Sequence, residues 1–146
     1  MADRAEKPDR FVPPESAAGA PFWAASRERR LTLPWCTQCE APHWYPRGFC
    51  PTCLSEEVEW RDAEGEGVVH AVSVQPKTSG AVPAARAPYA VVLVDLVEGV
   101  RMMLQASGVD DPDAIVVGDP VTVGWEALPD GRHLPTAEIP SRGHPD

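Results

Sequence analysis

At 146 residues the chain has room for one domain, or for one small domain with a metal-stapled appendage, but not for two large cores. Hydrophobic residues make up 43% and charged residues 24%, and the 17 prolines and 11 glycines argue for many turns and short elements in place of long helices. A formal charge of -9 with only 13 Lys and Arg weighs against a protein that grips phosphate backbones and favours small-molecule or protein partners.

Met1 to Ala20 is polar, interrupted by Pro8, Pro13 and Pro14, and has no convincing period, so residues 1–20 are expected to be a flexible tail. The opening MADRAEKPDRFVPPE lacks the apolar run of a secretory signal, and no stretch reaches the ~18 apolar residues needed to span a bilayer. A cytoplasmic protein with no membrane partner is the expectation. From Pro21 to Leu33 the run PFWAASRERRLTL fits a short helix with Pro21 in its first turn, Phe22 and Trp23 as anchors, and an end before Pro34.

A cysteine-bearing segment follows, completing a unit expected over residues 21–60. Cys36, Cys39, Cys50 and Cys53 form C-x2-C-x10-C-x2-C. Two residues between thiolates allow one tight turn to aim both sulfurs at one metal, and a second such knuckle completes a tetrahedron. Zinc is the favoured ion, rubredoxin-like iron is the chief chemical alternative, and disulfides suit a reducing cytosol poorly. A site closed by four thiolates leaves no position for water or substrate. The metal is therefore read as structural, and no cysteine remains for nucleophilic catalysis.

Seven of the ten aromatic residues concentrate between Phe22 and Trp60. They suit a small core and the seam to the following domain, and they also suit a contact surface, since Trp and Tyr are enriched at interface hot spots. Phe22, Trp23, Trp44 and Tyr45 are the candidate partner interface.

Beyond the acidic connector from Glu56 to Glu66 the pattern turns to strands: Gly67–Gln75, Tyr89–Val97, Arg101–Val109 and Val121–Leu128, with a fifth near Leu134. Glu98 and Gly99 make a hairpin turn between the second and third. The stretch from Gln75 to Pro88 reads as a long exposed loop, and DDPDAIVVGDPV as a half-helical connection. Five short strands joined in this way predict a small barrel of the OB type over residues 61–138, with residues 139–146 as a second tail. The class is mostly β: a short helix, a rubredoxin-like zinc ribbon and a five-stranded OB-fold barrel.

His43, His70, His133 and His144 share no metal or base spacing, and Ser73, Ser79 and Ser107 sit in no nucleophile elbow, so no catalytic residues are expected. Arg47, Lys77 and Arg86 are the cations placed to meet an anionic ligand such as a nucleotide phosphate.

In this order Phe22-Trp23, Cys36-x-x-Cys39, Trp44-Tyr45-Pro46-Arg47, Cys50-Pro51-x-Cys53, Glu59-Trp60, Gly65 to Val69, Pro88-Tyr89 and Gly118 to Val121 resemble the DUF35 family of zinc-ribbon OB-fold proteins. The resemblance runs from about Pro21 to Pro135. It implies an accessory subunit of a thiolase-fold enzyme, whether thiolase, acyltransferase or acyl-CoA aldolase of steroid side-chain degradation. Such a subunit docks in a hetero-oligomer and helps form the acyl-CoA site of the complex. The family carries no catalytic set over to this chain. Assigning CoA to Arg47, Lys77 and Arg86 follows from their charge and loop placement. From a different class, a single-stranded nucleic-acid binder is the alternative that an OB barrel and a zinc ribbon allow, but the chain lacks a basic groove.

Overall fold

The computed structural model describes residues 12–77 and 87–140. Its elements in chain order are α1 (Ala20–Ser26), β1 (Thr32–Cys36), β2 (Ala41–Pro42), β3 (Val58–Asp62), β4 (Glu66–Gln75), β5 (Tyr89–Leu96), β6 (Arg101–Ser107), β7 (Pro120–Ala127) and β8 (His133–Glu138). A single 3-10 turn at Pro112–Ala114 lies between β6 and β7.

Pro21 does sit in the first turn of α1, and Phe22, Ala25 and Ser26 are buried on one face. The helix expected to run to Leu33 stops at Ser26, however. Arg30 N-H donates to the Ala25 carbonyl at 3.1 Å and Arg29 N-H to the Ser26 carbonyl at 2.9 Å, while Arg29 takes φ 57. These are the two closing bonds of a Schellman motif with Arg29 at its left-handed position, where glycine is the usual signal. The chain then extends, and Thr32, Leu33 and Pro34 become the first residues of β1.

In the ribbon sheet, of order β2-β1-β3, β1 pairs along its length with β3, from Thr32 opposite Asp62 to Cys36 opposite Val58. Strand β2 reaches only Trp35 and Cys36, so the missing N-H of Pro34 interrupts no ladder there.

The remaining strands close a barrel in the order β4-β5-β6-β8-β7. Strand β5 alternates cleanly: Ala90, Val92, Val94 and Leu96 point inward and are each 3% exposed or less. Val69, Met102, Leu104, Val121 and Ala137 meet them from the other strands. Ile115, just past the 3-10 turn, is also buried in this cluster, which makes the half-helical connection a plug on the barrel core. Asp111 caps that turn by accepting from Asp113 N-H at 3.0 Å. The β5–β6 hairpin turns at Gly99, whose φ of 100 suits glycine. At Gly67, by contrast, a Cβ would collide with the backbone carbonyl of Asp95 across the β4–β5 ladder.

Residues 12–19, within the span read as a tail, make defined contacts: Arg132 Nη2 donates to the Pro13 carbonyl at 2.7 Å, and Ser16 accepts from Gly19 N-H. The core of the long loop read between Gln75 and Pro88, including Arg86, lies outside the described residues. Among the described residues no helix is long and apolar enough to cross a membrane.

Candidate metal centre and aromatic face

The two cysteine knuckles are built alike. In each, the residue after the second cysteine turns left-handed, Glu40 at φ 54 and Leu54 at φ 66, which curls the chain back around the sulfurs. Leu54 N-H donates to the Cys50 carbonyl at 2.8 Å, and Cys50 N-H to the Ser55 carbonyl at 2.8 Å. As a result the four Sγ atoms lie within 4.8 Å of one another. Cys36 and Cys53 are 3.7 Å apart at sulfur, and Cys39 and Cys50 are 3.8 Å apart. A tetrahedron with zinc-sulfur bonds of 2.3 Å has edges of about 3.8 Å, so the donor set fits zinc in spacing and in chemistry. Backbone N-H groups of Cys39 and Thr52 point at Cys36 Sγ and Cys50 Sγ, each at 3.3 Å, and would steady thiolate charge. Cys36 and Cys50 are buried while Cys39 and Cys53 face outward.

Four thiols so close cannot all ionise without a cation. Hydrogen bonding with Cys53 and then Cys50, joined by burial, pushes Cys39 up to about 12. Donation from the Cys53 and Thr52 backbones, against the opposing effect of burial, pulls Cys50 down to about 6. A divalent metal removes the conflict by taking all four as thiolates, so its binding releases protons.

Beside the ribbon, the four candidate interface aromatics come together. Phe22 packs edge-on against Trp23 at 5.0 Å and against Trp44 at 5.1 Å, and Trp44 lies 5.7 Å from Tyr45. All four line a hollow of about 310 Å³ whose far wall comes from the barrel: Val91 of β5, Met102 and Met103 of β6, Leu134 and Pro135 of β8. Phe22 is 4% exposed and serves the core, whereas Tyr45 at 52% and Met103 at 59% stand at the rim. The barrel wall, and Met103 above all, was missed in the sequence. The period of two in RMMLQ marks Met103 as outward-facing, but only the closed barrel shows which aromatics it faces.

The three cations are not gathered in the same way. Arg47 and Lys77 are both exposed, sit on different segments and do not line the aromatic hollow. Arg86 lies outside the described residues. The histidines fall in separate places. His43 is buried with neither ring nitrogen hydrogen-bonded, His70 lies 3.3 Å from Asp95, and His133 donates from Nδ1 to the Ser26 carbonyl at 2.9 Å.

Comparison with known proteins bears directly on this arrangement. Residues 23–59 match the ChsH2 rubredoxin-like zinc ribbon domain, and residues 60–126 match the ChsH2 C-terminal OB-fold domain. A solved structure described as an Ltp2-ChsH2(DUF35) aldolase contains a chain 30% identical, with a TM-score of 0.77 over 88% of this chain and 98% of that one. The chain belongs to the DUF35 family. A DUF35 protein of unknown function from Sulfolobus solfataricus, only 13% identical, shares the fold with a TM-score of 0.59 over 85% of this chain and 86% of its own. In sequence, a probable enoyl-CoA hydratase alpha subunit from Thermomonospora curvata is 36% identical over 111 residues, 75% of this chain. This DUF35 chain spans 34% of the length of that curated relative.

Proposed function

We propose that this DUF35 protein is a non-catalytic accessory subunit that docks on a thiolase-fold enzyme and helps form its acyl-CoA site. What carries the reading is the match to nearly the whole of a chain from a structure described as an Ltp2-ChsH2(DUF35) aldolase. The probable enoyl-CoA hydratase alpha subunit adds a second relative whose name concerns CoA thioesters. The site geometry agrees in kind: a closed thiolate cluster suited to structural zinc, and beside it an apolar hollow with a methionine and a tyrosine at its rim.

Docking is assigned to Phe22, Trp23, Trp44 and Tyr45, and any contact with the CoA phosphates to Arg47, Lys77 and Arg86. The bond-making residues belong to the partner, and the acyl group, steroid side chain included, is selected in the assembled site. Co-expression with a thiolase-fold partner should give one hetero-oligomeric peak on size exclusion. The isolated chain should turn over no thioester. Two chains that never co-elute, or thioester turnover by this chain alone, would overturn the proposal.

A further inference from the structure

Arg132 lies in the turn between β7 and β8 and is only 3% exposed, which is unusual for the most strongly hydrated class of side chain. Its guanidinium is held on several sides. Nε and Nη2 converge on one oxygen of Asp130, Oδ2, at 2.8 and 2.7 Å, and Nη2 also donates to the Pro13 carbonyl at 2.7 Å. Glu15 Oε2 stands 3.9 Å from Nε. Its Cζ lies over the Trp23 ring, 4.7 Å from the centroid. Nη1 is buried without a hydrogen-bond partner, so the contact with Trp23 is part of what holds the cation in place.

These contacts belong to one joint. Arg27 at the end of α1 donates to the Asp130 carbonyl at 2.9 Å, and a Cβ at Gly131 would fall 2.6 Å from Arg27 Nη1. His133 N-H donates to Ser26 Oγ at 3.3 Å. Trp23, covered on one side by Arg132, lines the aromatic hollow together with Leu134 and Pro135 of β8, two and three residues beyond Arg132. The Arg132 guanidinium is thus one of several links between the helix and barrel walls of the hollow, and the one that packs on a ring lining it.

We infer that Arg132 is a positioning residue for the docking face, fixing Trp23 against β8 so that the hollow is already formed before a partner arrives. The inference rests on the docking role proposed above for its consequence, though not for its geometry. Preorganisation raises affinity by removing the ordering cost from the binding step. Arginine is required at this place because a lysine offers neither a planar cation over Trp23 nor two nitrogens converging on Asp130 Oδ2.

The test uses the full zinc-loaded chain as R132K and as R132M, with D130N as a milder variant that keeps the arginine and weakens its bond at residue 130. The near-UV circular dichroism of the isolated chain should weaken in R132K and R132M and fall between them and wild type in D130N, with one zinc per chain retained. The same changes made in a W23F background should add little, which a merely global loss of stability would not produce. Affinity for the thiolase-fold partner should drop about tenfold for R132K. If the near-UV signal moves as expected but even wild type fails to bind the partner, the docking role falls and the positioning of Trp23 stands. Should R132M prove unable to fold, D130N and R132K carry the decision. An unchanged near-UV spectrum in both overturns the inference.

Discussion

At the scale of single residues, charge and burial decide what each group can do. His43 is 8% exposed, with neither ring nitrogen hydrogen-bonded, and its pKa is lowered, first by burial and then by the Arg47 cation. The folded state therefore prefers the neutral ring, whereas the unfolded chain titrates near the ordinary value of about 6.5. The stabilising contribution of the neutral ring is complete above that value and is lost as pH falls through the lowered folded pKa. Thermal melts of wild type and His43→Phe between pH 8 and 5.5 should show the variant losing less of its Tm on acidification; parallel losses would remove His43 from the account. At the metal centre, each thiolate belongs to a site contributing on the order of 10 kcal/mol to folding, so Cys39→Ala should lose zinc and unfold the ribbon. Elemental analysis with near-UV dichroism checks this. Retained metal together with a native spectrum would contradict it.

Elements show where the sequence was readable and where it was not. The knuckles declare themselves because C-x2-C spacing is a local constraint, and the barrel strands because a closed sheet imposes a period of two on residues such as Ala90, Val92, Val94 and Leu96. The end of α1 is hidden because Arg29 occupies the left-handed position of its C-terminal motif, where no glycine warns of a stop. Glu40 and Leu54 hide the knuckle turns from a glycine search in the same way. Arg132 is hidden for a different reason: an arginine after Pro-Asp-Gly looks like a solvated turn, and only the tertiary meeting of α1 with β8 buries it. Gly67 is another such case, since its neighbour is the backbone of Asp95, distant in sequence. A Cβ there meets backbone that cannot step aside, so Gly67→Ala should destabilise the barrel by ~1–3 kcal/mol. Gly48→Ala, with nothing within 4 Å of its Cβ but φ 81, should cost about 1 kcal/mol. Urea melts of both variants test the order; equal losses would refute the clash.

For the molecule as a whole, the decisive feature is that one hollow takes its walls from both the zinc-ribbon side and the barrel. Under the proposed docking role, a partner seated there would read the relative placement of the two, and metal, helix and barrel would all bear on its affinity. The rim residues separate docking from folding better than the buried aromatics do. Phe22 is in the core and Trp44 packs against it, so replacing either disturbs stability as well as contact. Tyr45 is more than half exposed, and its ring reaches Trp44 at only 5.7 Å. Tyr45→Ala should therefore keep zinc content and Tm close to wild type while weakening partner affinity by roughly 2 kcal/mol, about thirtyfold in Kd, as expected of an interface anchor. Met103→Ala, across the hollow on β6, should weaken it in the same direction, and the two losses should be less than additive if both residues grip one inserted group. Titration calorimetry against the thiolase-fold partner measures both. Affinity unchanged in the double variant would move the docking surface away from this hollow, because Tyr45 and Met103 are the two exposed side chains of its lining.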